Sequence, residues 1–227
     1  MTVEEIKEQV AVIPVEKPME ITTNENEAPF DPRTGLVPKT FSQLFKLAEI
    51  FANSAMVPAH FQRKPNDCFV ALQMAYRMDL DPMTALQNIY VISGKPGLSS
   101  QLIISLVNRS KKLIGPVQWR TVGTGDTLAV TAFGVLRETN EEISFTVPWS
   151  MVKAENWDKN PKYRSMPEVM MRYRSVAFLA RFHFPEVVIG MQSADEIEDV
   201  VAAEKVVAKK SAIEMMKTQA EKKDDLM

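Results

Sequence analysis

Lys153-Ala-Glu-Asn-Trp157-Asp-Lys159-Asn-Pro161-Lys162-Tyr163-Arg164-Ser165-Met-Pro167-Glu168-Val169-Met170-Met171-Arg172-Tyr-Arg174-Ser-Val176-Ala177-Phe178-Leu179-Ala180-Arg181-Phe-His183-Phe-Pro185 places a basic, aromatic loop directly before a helix. Ser165 and Glu168 stand at capping-box spacing with Pro167 in the first turn, so the helix is expected to start there and to stop at Pro185. Its apolar residues, Val169 to Met171 and Val176 to Ala180, are too dense for a helix buried on one side only. Arg172, Arg174 and Arg181 are threaded through them, and buried charge without a partner is costly. Few acids lie nearby in sequence, which points to a phosphate as the missing partner.

Working outward, three strand candidates precede this stretch. Val117–Val122, Leu128–Val135 and Ile143–Val147 are separated by Gly123-Thr-Gly-Asp126 and by Thr139-Asn140, the pattern of an antiparallel meander. Trp149–Glu155 reads as a short helix. Further upstream, Ile89-Tyr-Val-Ile92 followed by Gly94-Lys-Pro-Gly97 marks a hairpin, and Ser99 or Ser100 caps a helix ending near Asn108. Thr40 caps a first helix with Phe41, Leu44, Phe45, Ala48 and Phe51 at helical spacing. A second helix, from about Asn66 to Met78, points Phe69, Val70, Leu72 and Ala75 inward, and Asp81-Pro82 opens a third. The fold class is α+β: N-terminal helices, an antiparallel hairpin and meander, and a long C-terminal helix packed on the sheet.

The chain has 227 residues, 45% of them hydrophobic, which supports one domain with tails. Residues 1–38, rich in Glu, Pro, Thr and Asn, read as a mobile acidic arm, with Val10–Val15 docking as a strand. Residues 39–192 form the core domain, and 193–227 a charged, partly helical tail that frays beyond Ser193. The net charge of −2 hides an uneven distribution. Residues 41–192 hold 17 bases against 12 acids, or +5, while the ends before and after them carry −4 and −3. A basic body between acidic ends fits a nucleic-acid binder. Cys68 is the only cysteine, so no disulfide framework exists and a reducing, cytoplasmic location is expected. Neither a membrane span nor a signal peptide is apparent.

Enzyme signatures are missing. There is no G-x-x-x-x-G-K loop and no G-x-S-x-G, His60 and His183 stand apart, and one cysteine makes no zinc site. Asp79 and Asp81 are a conceivable metal pair, although a capping role explains Asp81 better. Cys68 reads as a small buried apolar residue and His183 as a core histidine. No catalytic residue and no cofactor is expected.

Between Pro82 and Gly125 there is no Asp or Glu, yet Lys95, Arg109, Lys111, Lys112 and Arg120 fall there, so a continuous positive potential is expected. A helix C-terminus would equally attract Lys111 and Lys112, and a turn tip Lys95. In the second cluster Lys153, Lys159, Lys162, Arg164, Arg172, Arg174 and Arg181 outnumber Glu155, Asp158 and Glu168. Arg174 and Arg181, seven apart, share a helix face with Phe178 between them; Arg172 faces the other way, where an ion pair would serve as well. Trp157 and Tyr163 interleave with the bases, as in single-strand binders that stack bases on aromatics. Trp157 is equally suited to anchoring the loop.

Asp67-Cys-Phe-Val-Ala-Leu-Gln-Met-Ala-Tyr-Arg-Met-Asp-Leu-Asp-Pro-Met-Thr-Ala-Leu86, Tyr90-Val-Ile-Ser-Gly94-Lys-Pro-Gly-Leu-Ser99, Trp157-Asp-Lys-Asn-Pro-Lys-Tyr163 and Met166-Pro-Glu-Val-Met-Met-Arg172-Tyr-Arg174 together resemble the RecT family of phage recombinases over about residues 41–200. The resemblance implies a single-strand annealing protein related in its hairpin-plus-helix core to Redβ, working without nucleotide hydrolysis and assembling into rings or helical filaments on DNA. It places Lys95 in a turn before a helix, and Arg172 and Arg174 on a helix lining the DNA groove. Implied partners are single-stranded DNA, the annealed duplex intermediate, further copies of the chain, a phage exonuclease and a host single-strand-binding protein. The short tail argues against a separate C-terminal partner-binding module. A passive DNA-coating protein is the alternative function, and a phosphate-processing enzyme using Asp79 and Asp81 a third.

Overall fold

The computed structural model describes residues 38–201, which belong to one compact unit. The strand expected at Val10–Val15 and most of both tails lie outside the described residues. Element order is α1 (Phe41–Ala52), α2 (Pro65–Arg77), α3 (Pro82–Asn88), β1 (Ile89–Ile92), β2 (Lys95–Leu98), α4 (Ser100–Arg109), β3 (Gln118–Val122), β4 (Ala129–Val135), β5 (Glu142–Pro148), α5 (Trp149–Ala154), α6 (Lys162–Ser165) and α7 (Pro167–His183). The architecture is mixed α+β with two small antiparallel sheets.

Capping chemistry fixes several boundaries. The side chains of Thr40, Asp81 and Ser99 accept from the backbone N–H groups of Gln43, Thr84 and Leu102, as the sequence led us to expect. β1 and β2 pair from Ile89 opposite Leu98 to Ile92 opposite Lys95. The two loop residues between them, Ser93 and Gly94, both have positive φ, 50° and 78°, the pattern that turns a tight hairpin with the strands' natural twist.

β3, β4 and β5 form the meander in that order. Trp119 faces Ala132, which faces Phe145, so one sheet face presents Trp119, Ala132 and Phe145 together with Val130, Ile143 and Val147. α7 packs on this face and against α4 on its other side. Phe178 stacks on Phe145 at 4.7 Å, the Trp119 indole N–H donates to the Arg172 carbonyl at 3.2 Å, and Thr121 donates to Glu168 at 2.9 Å. Burial on two sides explains the dense apolar sequence of α7.

Four expectations change. Ser165 ends α6 instead of capping α7, whose N-cap is Met166 with no side-chain hydrogen bond. The buried Tyr163 commits Lys162–Ser165 to its own turn, and Met166, outside the helical region at φ −144° and ψ 59°, separates the two helices. A capping box does form, but at Ser193: Glu196 N–H donates to its Oγ at 3.3 Å and the Ser193 N–H donates to Glu196 Oε2 at 2.9 Å. Residues 194–201 are helical and pack on the core, with Ile197 buried and Leu98 bridged to Ser193. A Cβ on Gly97 would fall 2.8 Å from Ile197 Cδ1 and 3.0 Å from Ala194 Cα, so glycine is what allows the hairpin to approach this helix. The charge pattern at 193 therefore marks no structural break. Finally, Phe41 and Val70 are exposed, Phe41 packing edgewise on Phe69 at 5.1 Å, and His183 is exposed at the end of α7.

Candidate nucleic-acid interface

The three arginines of α7 all have partners. Arg174, 3% exposed, bonds to the Asp199 carboxylate, to the Tyr163 hydroxyl at 3.2 Å and to the Asp195 carbonyl at 3.2 Å, and lies 4.4 Å above the Trp157 ring. Burial pulls its pKa down, and the Tyr163 oxygen and Asp199 together more than offset this, holding it above the usual value. Arg181 pairs with Glu196 and covers Phe178, 4.7 Å from the ring centroid. Arg172 pairs with Glu168 at 2.5 Å, one helical turn back. The reading that α7 lacks acidic partners is thus corrected: Glu196 and Asp199 come from beyond Ser193, the segment that looked like a fraying tail.

The acid-free span is neutralised in the same way, by acids distant in sequence. Arg120 holds Glu142 through two hydrogen bonds of 2.9 and 2.6 Å and sits 3.7 Å from the centroid of Phe133. The Arg120 hydrogen bond is the main cause of the lowered Glu142 pKa. Lys112 pairs with Glu186 and lowers its pKa in turn. Arg109 donates to the carbonyls of Met78 and Asp79, closing the C-terminal end of α2 where helical acceptors are left open. The charges of Lys112 and Arg120 are thus compensated locally. Lys95, at the start of β2, and Lys111 are exposed.

Trp157 and Tyr163 are core residues. They are 6% and 1% exposed and close a small apolar cluster with Leu128, Val147, Val152 and Met171. Burial pushes the Tyr163 hydroxyl up to about 12 despite the opposing charge of Arg174. Their packing anchors the loop from both ends, so the interleaved pattern of bases and aromatics has a split outcome. The aromatics face in and the cations out.

Lys159, Lys162 and Arg164 are exposed, and among the described residues none of the three makes an ion pair. Lys153, in the last turn of α5, pairs with Asp126 at 2.8 Å and lowers its pKa. Arg164 borders a cleft of about 360 Å³ whose other walls include Trp149, Leu128, Tyr163, Pro167 and Asp158. Trp149 was not among the residues the sequence singled out. Its signal was slight, an aromatic directly after a strand-ending proline.

Asp81 is occupied as the cap of α3, and among the described residues no three His, Cys, Asp or Glu side chains converge to hold a metal ion. His60 Nε2 donates to the Ile89 carbonyl at 3.0 Å, a bond between α1–α2 connection and hairpin. No described helix is long and apolar enough to cross a membrane. No family model matches the chain, and no curated protein is similar to it.

Proposed function

We propose that the chain is an ATP-independent single-strand DNA-binding and annealing protein of phage-type homologous recombination. The observation that carries this reading is the set of exposed cations Lys159, Lys162 and Arg164, in no ion pair among the described residues, on the segment between α5 and α7 whose aromatics are buried. A rigidly seated, cationic loop is suited to backbone phosphates, which position a strand without reading its sequence. The resemblance in residue order across the hairpin, the loop and α7 supports the same reading.

Lys95 and Lys111 add exposed charge elsewhere on the domain. Arg120, Lys153 and Arg172 sit in exposed ion pairs, which contribute little to folding and can be exchanged for phosphate contacts. Arg174 and Arg181 are assigned to the scaffold in this account. Strands held by phosphate leave their bases open to a complement, and pairing then supplies roughly 1.4 kcal/mol per stacked step, so no nucleotide need be hydrolysed. Assembly of further copies along the strand, and cooperation with an exonuclease and a host single-strand-binding protein, belong to the same proposal.

Fluorescence anisotropy with a labelled oligonucleotide tests the phosphate contacts. Replacing Lys159, Lys162 and Arg164 together with alanine should weaken binding to every sequence and flatten the salt dependence by about 2, at roughly 0.7 per lost contact. An unchanged slope would remove the loop from the interface.

A further inference from the structure

The cleft beside Arg164 has a feature that a phosphate-binding loop does not require. Its aromatic wall, Trp149, is half-buried at the start of α5. The backbone N–H of Trp149 donates to the Leu128 carbonyl at 2.8 Å, tying the start of α5 to the same wall. Tyr163 lies behind the indole, ring centroids 6.5 Å apart, and supports it from the core side. The result is a preset aromatic surface at the edge of a 360 Å³ cleft, with Arg164, in no ion pair among the described residues, at its rim and Lys162 two residues away.

We propose that this cleft takes one unstacked nucleobase of a bound single strand, seated against the indole of Trp149, while Arg164 and Lys162 hold the adjoining phosphates. This rests on the single-strand reading above and adds to it a particular base-stacking site. A cleft of this size admits a base with its sugar. Asp158, which also lines the cleft, can accept from a base amino group, and its charge disfavours a phosphate beside it. Stacking on an aromatic wall tolerates any base, in keeping with a protein that pairs strands of any sequence.

The test compares anisotropy titrations of labelled oligothymidylate with the same length carrying abasic residues throughout, using wild-type protein, Trp149→Phe, Trp149→Ala and Arg164→Ala, with free thymidine monophosphate as a further ligand. Wild type should bind the abasic strand more weakly by roughly 5- to 100-fold. Trp149→Ala should bind both strands alike, at the weaker level, and Trp149→Phe should keep most of the difference. Free mononucleotide should compete poorly, since it lacks the neighbouring phosphates. Equal wild-type affinity for both strands overturns the stacking site and leaves phosphate binding intact. Mononucleotide competing as well as the strand would make this a small-molecule site and overturn it too. Failure of wild type to bind either strand removes the single-strand reading itself. The wild-type comparison stands whether or not the Trp149 variants fold.

Discussion

The guanidinium of Arg174 lies 4.4 Å above the Trp157 ring and bonds to Asp199, so one side chain joins the basic loop to the segment beyond Ser193. Arg174 is 3% exposed, and Asp199 keeps 29% of its side-chain surface. Asp199→Ala leaves a buried guanidinium with the Tyr163 hydroxyl and one carbonyl as its remaining partners. We expect a loss of about 2–3 kcal/mol in urea unfolding, below the 3–5 kcal/mol of fully buried pairs because Asp199 is partly solvated. Arg174→Ala should likewise lower stability before it changes DNA affinity. Unaltered unfolding midpoints for both variants would return Arg174 to the list of ligand-facing residues.

Arg120 and Lys153 are held by Glu142 and Asp126 on the surface. Freeing the cation should favour a polyanion. Glu142→Gln and Asp126→Asn should each tighten oligonucleotide binding several-fold at low salt and steepen the salt dependence by about 0.7 if the released cation meets a phosphate. Asp126 is bonded to Lys153 of α5, the helix that begins with Trp149, so Glu142→Gln is the cleaner arm. Weaker or unchanged binding of Glu142→Gln would show that Arg120 lies off the strand's path.

Much of the fold was legible because its signals are local. Thr40, Asp81 and Ser99 cap helices as their side-chain chemistry dictates, and the meander follows from short-range pattern, but the hairpin turn expected at Gly94–Gly97 falls at Ser93-Gly94, with Lys95–Leu98 paired as β2. Ser165 and Glu168 had the right spacing and the wrong context, since Tyr163 packing upstream claimed Ser165 for another turn. The candidate site was less legible because ion pairs ignore sequence distance. Glu142 lies 22 residues from Arg120, Glu186 lies 74 from Lys112, and Asp199 lies 25 from Arg174. Counting neighbouring acids along the chain missed all three. Trp157 and Tyr163 carry identical residue types whether they stack on bases or fill a core, and only packing decides between the two.

Cys68 and Tyr163, with Tyr76 also raised by burial, make the fold sensitive to alkali. Cys68 is raised from 9.0 to about 11, by burial first and then by Asp67, and Tyr163 is raised by burial from 10.0 to about 12. The unfolded chain therefore releases these protons first. Their contribution is complete below pH 9, falls as pH rises through 9–11 for Cys68 and 10–12 for Tyr163, and is lost above. Urea midpoints measured from pH 8 to 11.5 should decline, and Cys68→Ala should remove the earlier part of that decline. Parallel curves for the two proteins would show that the thiol does not titrate in this way.

Strand annealing without nucleotide tests the central claim most directly. Two complementary oligonucleotides carrying donor and acceptor dyes are mixed with wild-type protein in the absence of ATP, and energy transfer is followed in time. Pairing should be faster than for the free strands, and the gain should shrink when Lys159, Lys162 and Arg164 are replaced by alanine. Pairing slower than for the free strands would make the protein a passive coat. Pairing at the free-strand rate, with no binding, would contradict the account altogether.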